Sequence, residues 1–100
     1  MIKHVVLFKF KDQAEGADKA ENIMRLKSQL EGLVGRIPEI KFFEIGLNFD
    51  KSTTAYDVVL CSEFESEEAL RRYQNHPEHM KVFGFVKKAC ESRVLGDYVI

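Results

Sequence analysis

Two segments of this chain are apolar on both sides of a strand. Residues 2–11 (IKHVVLFKFK) alternate so that His4, Val6, Phe8 and Phe10 share one face, while Val5 and Leu7 sit on the other. Residues 55–64 (AYDVVLCSEF) repeat the arrangement, with Tyr56, Val58, Leu60 and Phe64 on one side and Val59 and Cys61 on the other. Successive strand side chains point to opposite faces, so each of these strands needs cover on two sides. A chain of 100 residues forms one domain, residues 1–100, with helices enough for a single layer. One sheet face is therefore left for something else to cover.

The segments between these strands supply the helices. Residues 12–18 (DQAEGAD) read as a polar loop ending in Asp18, an N-cap with Glu21 three residues on as its capping-box partner. From Lys19 to about Arg36, Ile23, Leu26, Leu30, Leu33, Val34 and Ile37 recur at helical intervals, and Gly35 and Pro38 stop the helix. Residues 40–49 (IKFFEIGLNF) form a strand with Phe43, Ile45, Leu47 and Phe49 on one face, joined to the strand at 55–64 by a hairpin through DKSTT. Ser66 caps a helix that carries Glu67 and Glu68 in its first turn, where the helix dipole favours negative charge. That helix ends near Asn75. After His76 a further helix begins, with Pro77 at a permitted early position and Met80, Phe83, Val86 and Cys90 facing inward. Residues 92–99 (SRVLGDYV) make the last strand.

The order β-α-β-β-α-α-β is two βαβ units in tandem. It predicts an α+β, ferredoxin-like sandwich: a four-stranded antiparallel sheet with all helices on one face. The other face, with Val5, Leu7, Val59 and Cys61, would be an exposed apolar patch in a lone protomer, and such patches mark interfaces. Burying about 600 Å² of apolar area is worth roughly 15 kcal/mol before association costs. The expectation is a homodimer packed sheet to sheet.

Composition removes several function classes. Fifteen Lys and Arg against sixteen Asp and Glu give a net charge of −1, with no basic stripe, so nucleic acid is not an expected partner. The apolar runs are short, as in Val5 to Phe8, so no membrane span is expected. The start MIKHVVLFKFK does not read as a signal peptide, which points to the cytoplasm. Cys61 and Cys90 read as reduced core residues without metal-ligand spacing.

The chemistry-bearing residues concentrate in YQNHPEHMKVFGF. Tyr73, His76 and His79 are three apart, which stacks them roughly on one side of a helix, subject to the break at Pro77. His-x-x-His is also a weak metal-ligand spacing, with Glu78 or Asp97 as the nearest candidate third ligand; no metal is expected. A Tyr and a His on one pocket suit proton transfer beside a carbonyl. The His takes and returns a proton, and the Tyr hydroxyl donates to a developing enolate oxygen. The plain alternative is that Tyr73 packs its ring and His79 lines a helix start. His4, on a face shared with Val6 and Phe8, reads more simply as a core histidine. No Gly-rich phosphate loop or nucleophile elbow is present.

The opening KHVVLFKFKD, the SEFES before the second helical half, the YQNHPEH segment and the closing GDYVI resemble the stress-responsive A/B barrel (Dabb) domain family over nearly the whole chain. The resemblance implies ferredoxin-like protomers joined as a dimeric α+β barrel. The family includes plant stress-associated proteins and polyketide cyclases of the olivetolic-acid type, which carry out an intramolecular aldol condensation without metal or organic cofactor. It implies Tyr73 and His79 as the catalytic pair, with His4 and Asp97 in the pocket and His76 structural. Val6, Phe8, Leu60 and Met80 are the expected apolar lining. Two positions depart from the cyclase pattern: Val58 stands in place of a histidine and Leu30 in place of a pocket tyrosine. Three readings follow: a homodimeric small-molecule pocket protein acting as a cofactor-free lyase or cyclase, a non-catalytic stress-associated dimeric domain, and a cofactor-free monooxygenase.

Overall fold

A computed structural model describes all residues, 1–100. Strand β1 (Ile2–Phe10) is followed by a minute hairpin, β2 (Gln13–Ala14) and β3 (Ala17–Asp18), and by helix α1 (Lys19–Glu31). Then come β4 (Phe42–Leu47), β5 (Val58–Phe64), α2 (Glu67–Asn75), α3 (Pro77–Ala89) and β6 (Cys90–Val99). The large strands form one antiparallel sheet in the order β4-β5-β1-β6. Each parallel pair, β1 with β4 and β5 with β6, is separated by one intervening strand and joined through helix, which is the ferredoxin-like arrangement. No helix is long and apolar enough to cross a membrane.

The alternation read in the sequence sets the faces. In β1, His4, Val6, Phe8 and Phe10 are buried and the intervening residues half-buried; in β5 the buried set is Val58, Leu60, Ser62 and Phe64. Val6 lies opposite Leu60 and Phe8 opposite Val58, so one continuous apolar row faces the helices. Leu26 and Leu30 of α1, Leu70 and Tyr73 of α2, and Val82 and Val86 of α3 close over it. Each fully buried side chain of this size contributes roughly 1.5–3 kcal/mol. The caps form as expected: Asp18 accepts from the Glu21 N–H at 2.9 Å, and Ser66 from the Ala69 N–H at 3.1 Å.

The elements differ from expectation at their ends. Helix α1 stops at Glu31, where the Gly32 N–H turns back to the Ser28 carbonyl, instead of running on to Arg36. Leu33 and Ile37 still reach the core from the following turns, but Val34 is exposed. Strand β4 ends at Leu47, and Phe49, placed in its apolar row by the sequence, is 93% exposed. Tyr56 lies ahead of β5 rather than in its inner row, its hydroxyl bonded to Ser92 at 2.9 Å and the Lys9 ammonium 5.9 Å from its ring centroid. The 12–18 loop contains the hairpin β2–β3, turned by Glu15 (φ 50°) and Gly16 (φ 74°). Buried Asn22 holds that hairpin to α1 by donating to the Ala14 carbonyl at 2.9 Å.

Candidate active site

Helices α2 and α3 meet at His76, and this junction builds the site. The His76 backbone N–H closes α2 on the Tyr73 carbonyl. Its ring Nδ1 accepts from the Glu78 N–H at 3.1 Å and so caps α3, with Pro77 at the first helical position. His76 is thus committed to the backbone, as expected of a structural residue. The turn brings Tyr73, from the last part of α2, against His79, from the first turn of α3, with ring centroids 4.6 Å apart.

Tyr73 is the hub of an aromatic cluster. Phe64 lies 4.8 Å from it, Phe43 6.2 Å and His4 6.4 Å between centroids. The residue is only 1% exposed, and burial pushes its phenol well above the ordinary tyrosine range, so it remains a hydroxyl. That hydroxyl makes no hydrogen bond within the chain, yet every fully buried side-chain nitrogen or oxygen has a partner. Its oxygen is therefore not completely enclosed by the chain.

His79 is held in one tautomer. Its Nδ1 lies 3.0 Å from the Gln74 carbonyl, so Nδ1–H donates and Nε2 is left as the free nitrogen. Burial is the main cause that holds its pKa below the usual 6.5; the Gln74 bond opposes this, and the charges of His4, Arg93 and His76 add to it. At neutral pH the ring is a neutral base. His4 is 3% exposed and pairs through Nδ1 with the Asp97 carboxylate, across the β1–β6 register that sets His4 opposite Asp97. The Asp97 bond fixes His4's orientation from behind, in the manner of a carboxylate orienting an imidazole.

His4, Tyr73 and His79 line one internal cavity of about 20 Å³ between sheet and helices. Val6, Phe8 and Leu60 line it too, with Leu30, Val82, Phe83, Val86 and Arg93. Room of this size takes about one water. Asp97 is not on its wall; it borders a shallow groove with Ile2, Leu70 and Tyr98 and reaches the cavity only through His4. Met80 corrects an expectation: it is 53% exposed and lies outside the cavity. Helix α3 turns inward the stripe of His79, Val82, Val86 and Ala89, and Met80 sits about 100° round the axis from His79.

The charged wall residue that sequence reasoning missed is Arg93. Its strand position is set by pairing with Phe8 on the inner face of β1, and its guanidinium carbon stands 4.8 Å from the Phe83 ring centroid. No three His, Cys, Asp or Glu side chains come together in a set that could hold a metal. Cys90 lies at the start of β6, its thiol pushed up to about 11 mainly by burial, which makes it a poor nucleophile.

Comparison with known proteins agrees with this architecture. Residues 2–100 match the model of the Stress Responsive A/B Barrel Domain. An uncharacterized protein of Streptomyces coelicolor is 34% identical over 79 residues, 79% of either chain. A dimeric protein of unknown function and ferredoxin-like fold from Bacteroides fragilis superimposes with a TM-score of 0.86 at 31% identity, over 99% of this chain and 95% of that one. A hydroxynitrile lyase from Passiflora edulis has the same fold, with a TM-score of 0.84 at 19% identity over 99% of this chain and 92% of its own. From its opening strand to its last, this chain belongs to the stress responsive A/B barrel domain family.

Proposed function

We propose that the protein is a homodimeric small-molecule pocket protein that performs cofactor-free acid–base chemistry on a carbonyl compound. One observation carries the reading: a buried, unpartnered phenol and a neutral imidazole with its Nε2 free border the same cavity. Tyr73 would donate a hydrogen bond to the substrate carbonyl and stabilise the oxyanion that develops there. His79 Nε2 would take a proton from the adjacent carbon and return it. His4, held by Asp97, would orient the bound molecule among Val6, Phe8 and Leu60. The fold hosts a lyase in Passiflora edulis, so the scaffold is compatible with such a reaction.

The homodimer would form through the outer sheet face, where Val5, Leu7, Val59 and Cys61 are only half covered by their own protomer. The dimeric Bacteroides fragilis protein supports this assembly. Two free cysteines suit a reducing compartment such as the cytoplasm.

The cavity volume of about 20 Å³ favours a second reading, a non-catalytic dimeric domain whose Tyr73 and His79 are core residues. Small-molecule sites usually offer some 300 Å³ or more, so a substrate must displace a wall side chain to enter. Thermal-shift screening of small aromatic and β-polyketo compounds separates the two, because a ligand raises the melting temperature only by preferring the folded state. The catalytic reading expects stabilisation that is lost in Tyr73→Phe and His79→Gln. No shift across the set leaves the non-catalytic domain, and full turnover by both variants removes Tyr73 and His79 from the chemistry.

A further inference from the structure

The internal cavity and an outer groove of about 270 Å³ share three walls: Phe83, Val86 and Arg93. Phe83 stands between the groove and His79, its ring nearly parallel to the imidazole at 10° and 6.4 Å. Two cations attend the same ring, the Arg93 guanidinium carbon at 4.8 Å and the Lys87 ammonium at 5.6 Å from the centroid. Cation–π contact holds such groups near the ring without neutralising them. Neither Arg93 nor Lys87 enters any of the ion pairs that engage most of the charged surface, and Arg93 makes no side-chain hydrogen bond. The groove also contains Glu91, turned toward Lys9 at 3.8 Å. Two positive charges against one negative leave the groove with a net charge of +1.

We propose that Arg93 is a specificity residue that binds the carboxylate of a small ring-bearing organic acid, with Lys87 alongside, so that the acid's apolar body passes Phe83 and Val86 toward His79 and Tyr73. A guanidinium offers two parallel N–H donors that match a planar carboxylate, and charge-assisted bonds of this kind are the strong ones. A single excess positive charge suits a monoanion better than a phosphate dianion. The apolar stretch between Arg93 and Tyr73 requires the rest of the ligand to be uncharged. The proposal rests on the pocket reading above and adds the ligand's chemical class to it.

Titration of phenylacetate, its neutral isostere phenylacetamide and phenyl phosphate against the full-length protein tests it. Wild type is expected to bind phenylacetate on the order of tenfold to a hundredfold more tightly than the amide, and more tightly than the phosphate. Arg93→Gln should bring acid and amide within about twofold, leaving amide affinity unchanged. Arg93→Lys, which keeps the charge but not the planar fork, should retain part of the preference and guards against a folding defect in the first variant. Equal binding of acid and amide by wild type, tighter binding of the phosphate, or a preference that survives Arg93→Gln overturns the proposal and leaves the pocket reading standing. Absence of binding by all three overturns the proposal, and the carbonyl screen then decides separately whether the pocket binds any ligand.

Discussion

Tyr73 and His79 belong to different helices, yet their ring centroids lie 4.6 Å apart because His76 ends one helix and caps the next. An unbroken helix would place residues six apart about 120° round the axis and roughly 9 Å along it. The break at His76-Pro77 therefore creates the pair, and it does so with backbone bonds that are independent of any ligand.

Tyr73→Phe tests the phenol alone. Its hydroxyl has no partner in the chain, so removing it should change stability by less than about 0.5 kcal/mol in a urea melt. The same variant should lose about 10²–10³ in turnover of any carbonyl substrate the screen identifies, the scale of one lost oxyanion donor. A stability loss above about 1 kcal/mol would instead make the hydroxyl a structural group.

The pH dependence of stability isolates His79. Burial favours its neutral form in the folded chain, and the Arg93 guanidinium acts in the same direction. The unfolded chain thus takes up this proton first. The contribution is complete above about pH 6.5 and is lost as pH falls through and below that value toward the lowered folded pKa. His79→Asn should flatten the stability profile between pH 7 and 5, measured as urea midpoints. An unchanged slope would mean the ring is as easily protonated folded as unfolded.

Much of this fold was legible because the signals are local. The alternation in β1 and β5, the caps Asp18 and Ser66, and Pro77 after His76 each depend on neighbours a few residues away. The closeness of Tyr73 and His79 was legible, but the expected stacking along one helix is replaced by a contact between two helices that meet at His76. Arg93 was not, because SRVLGDYV shows no clean apolar face. The placement of Arg93 opposite Phe8 comes from the continuous β1–β6 register that pairs Ile2 with Val99, a fact of strand pairing alone. Met80 was misplaced because the phase of α3 is set by where His76 caps it, and a shift of one residue moves a side chain off the buried stripe. The hairpin at Glu15-Gly16 is two residues a side, too short for any periodicity to announce.

That hairpin offers a stabilising substitution. Glu15 and Gly16 both have positive φ, the conformation of a type I′ turn, which favours Asn-Gly. A glutamate in the left-handed region is strained, whereas asparagine enters it readily. The Glu15 carboxylate offers little in return, since its contact to Lys88 is 3.9 Å long and exposed. Glu15→Asn should therefore raise stability by roughly 0.5–1 kcal/mol in chemical denaturation. No gain would show that the turn relaxes in solution to accommodate glutamate.

The outer sheet face gives the test of assembly. Val59 lies directly opposite Leu7 in the β1–β5 register, at the middle of the half-covered row that also holds Val5 and Cys61. A protomer can tolerate a carboxylate there, since the side chain projects away from the helices and leaves the 16-residue core untouched. A sheet-to-sheet dimer cannot, because the introduced carboxylate would be buried against apolar partners without a counter-charge. Val59→Asp should therefore shift the sedimenting species from two chains to one at micromolar concentration, with the circular dichroism of the folded protomer retained. Leu7→Asp, on the neighbouring strand, should do the same. Variants that remain fully dimeric would place the interface on another surface, and wild type sedimenting as a single chain would remove the dimer altogether.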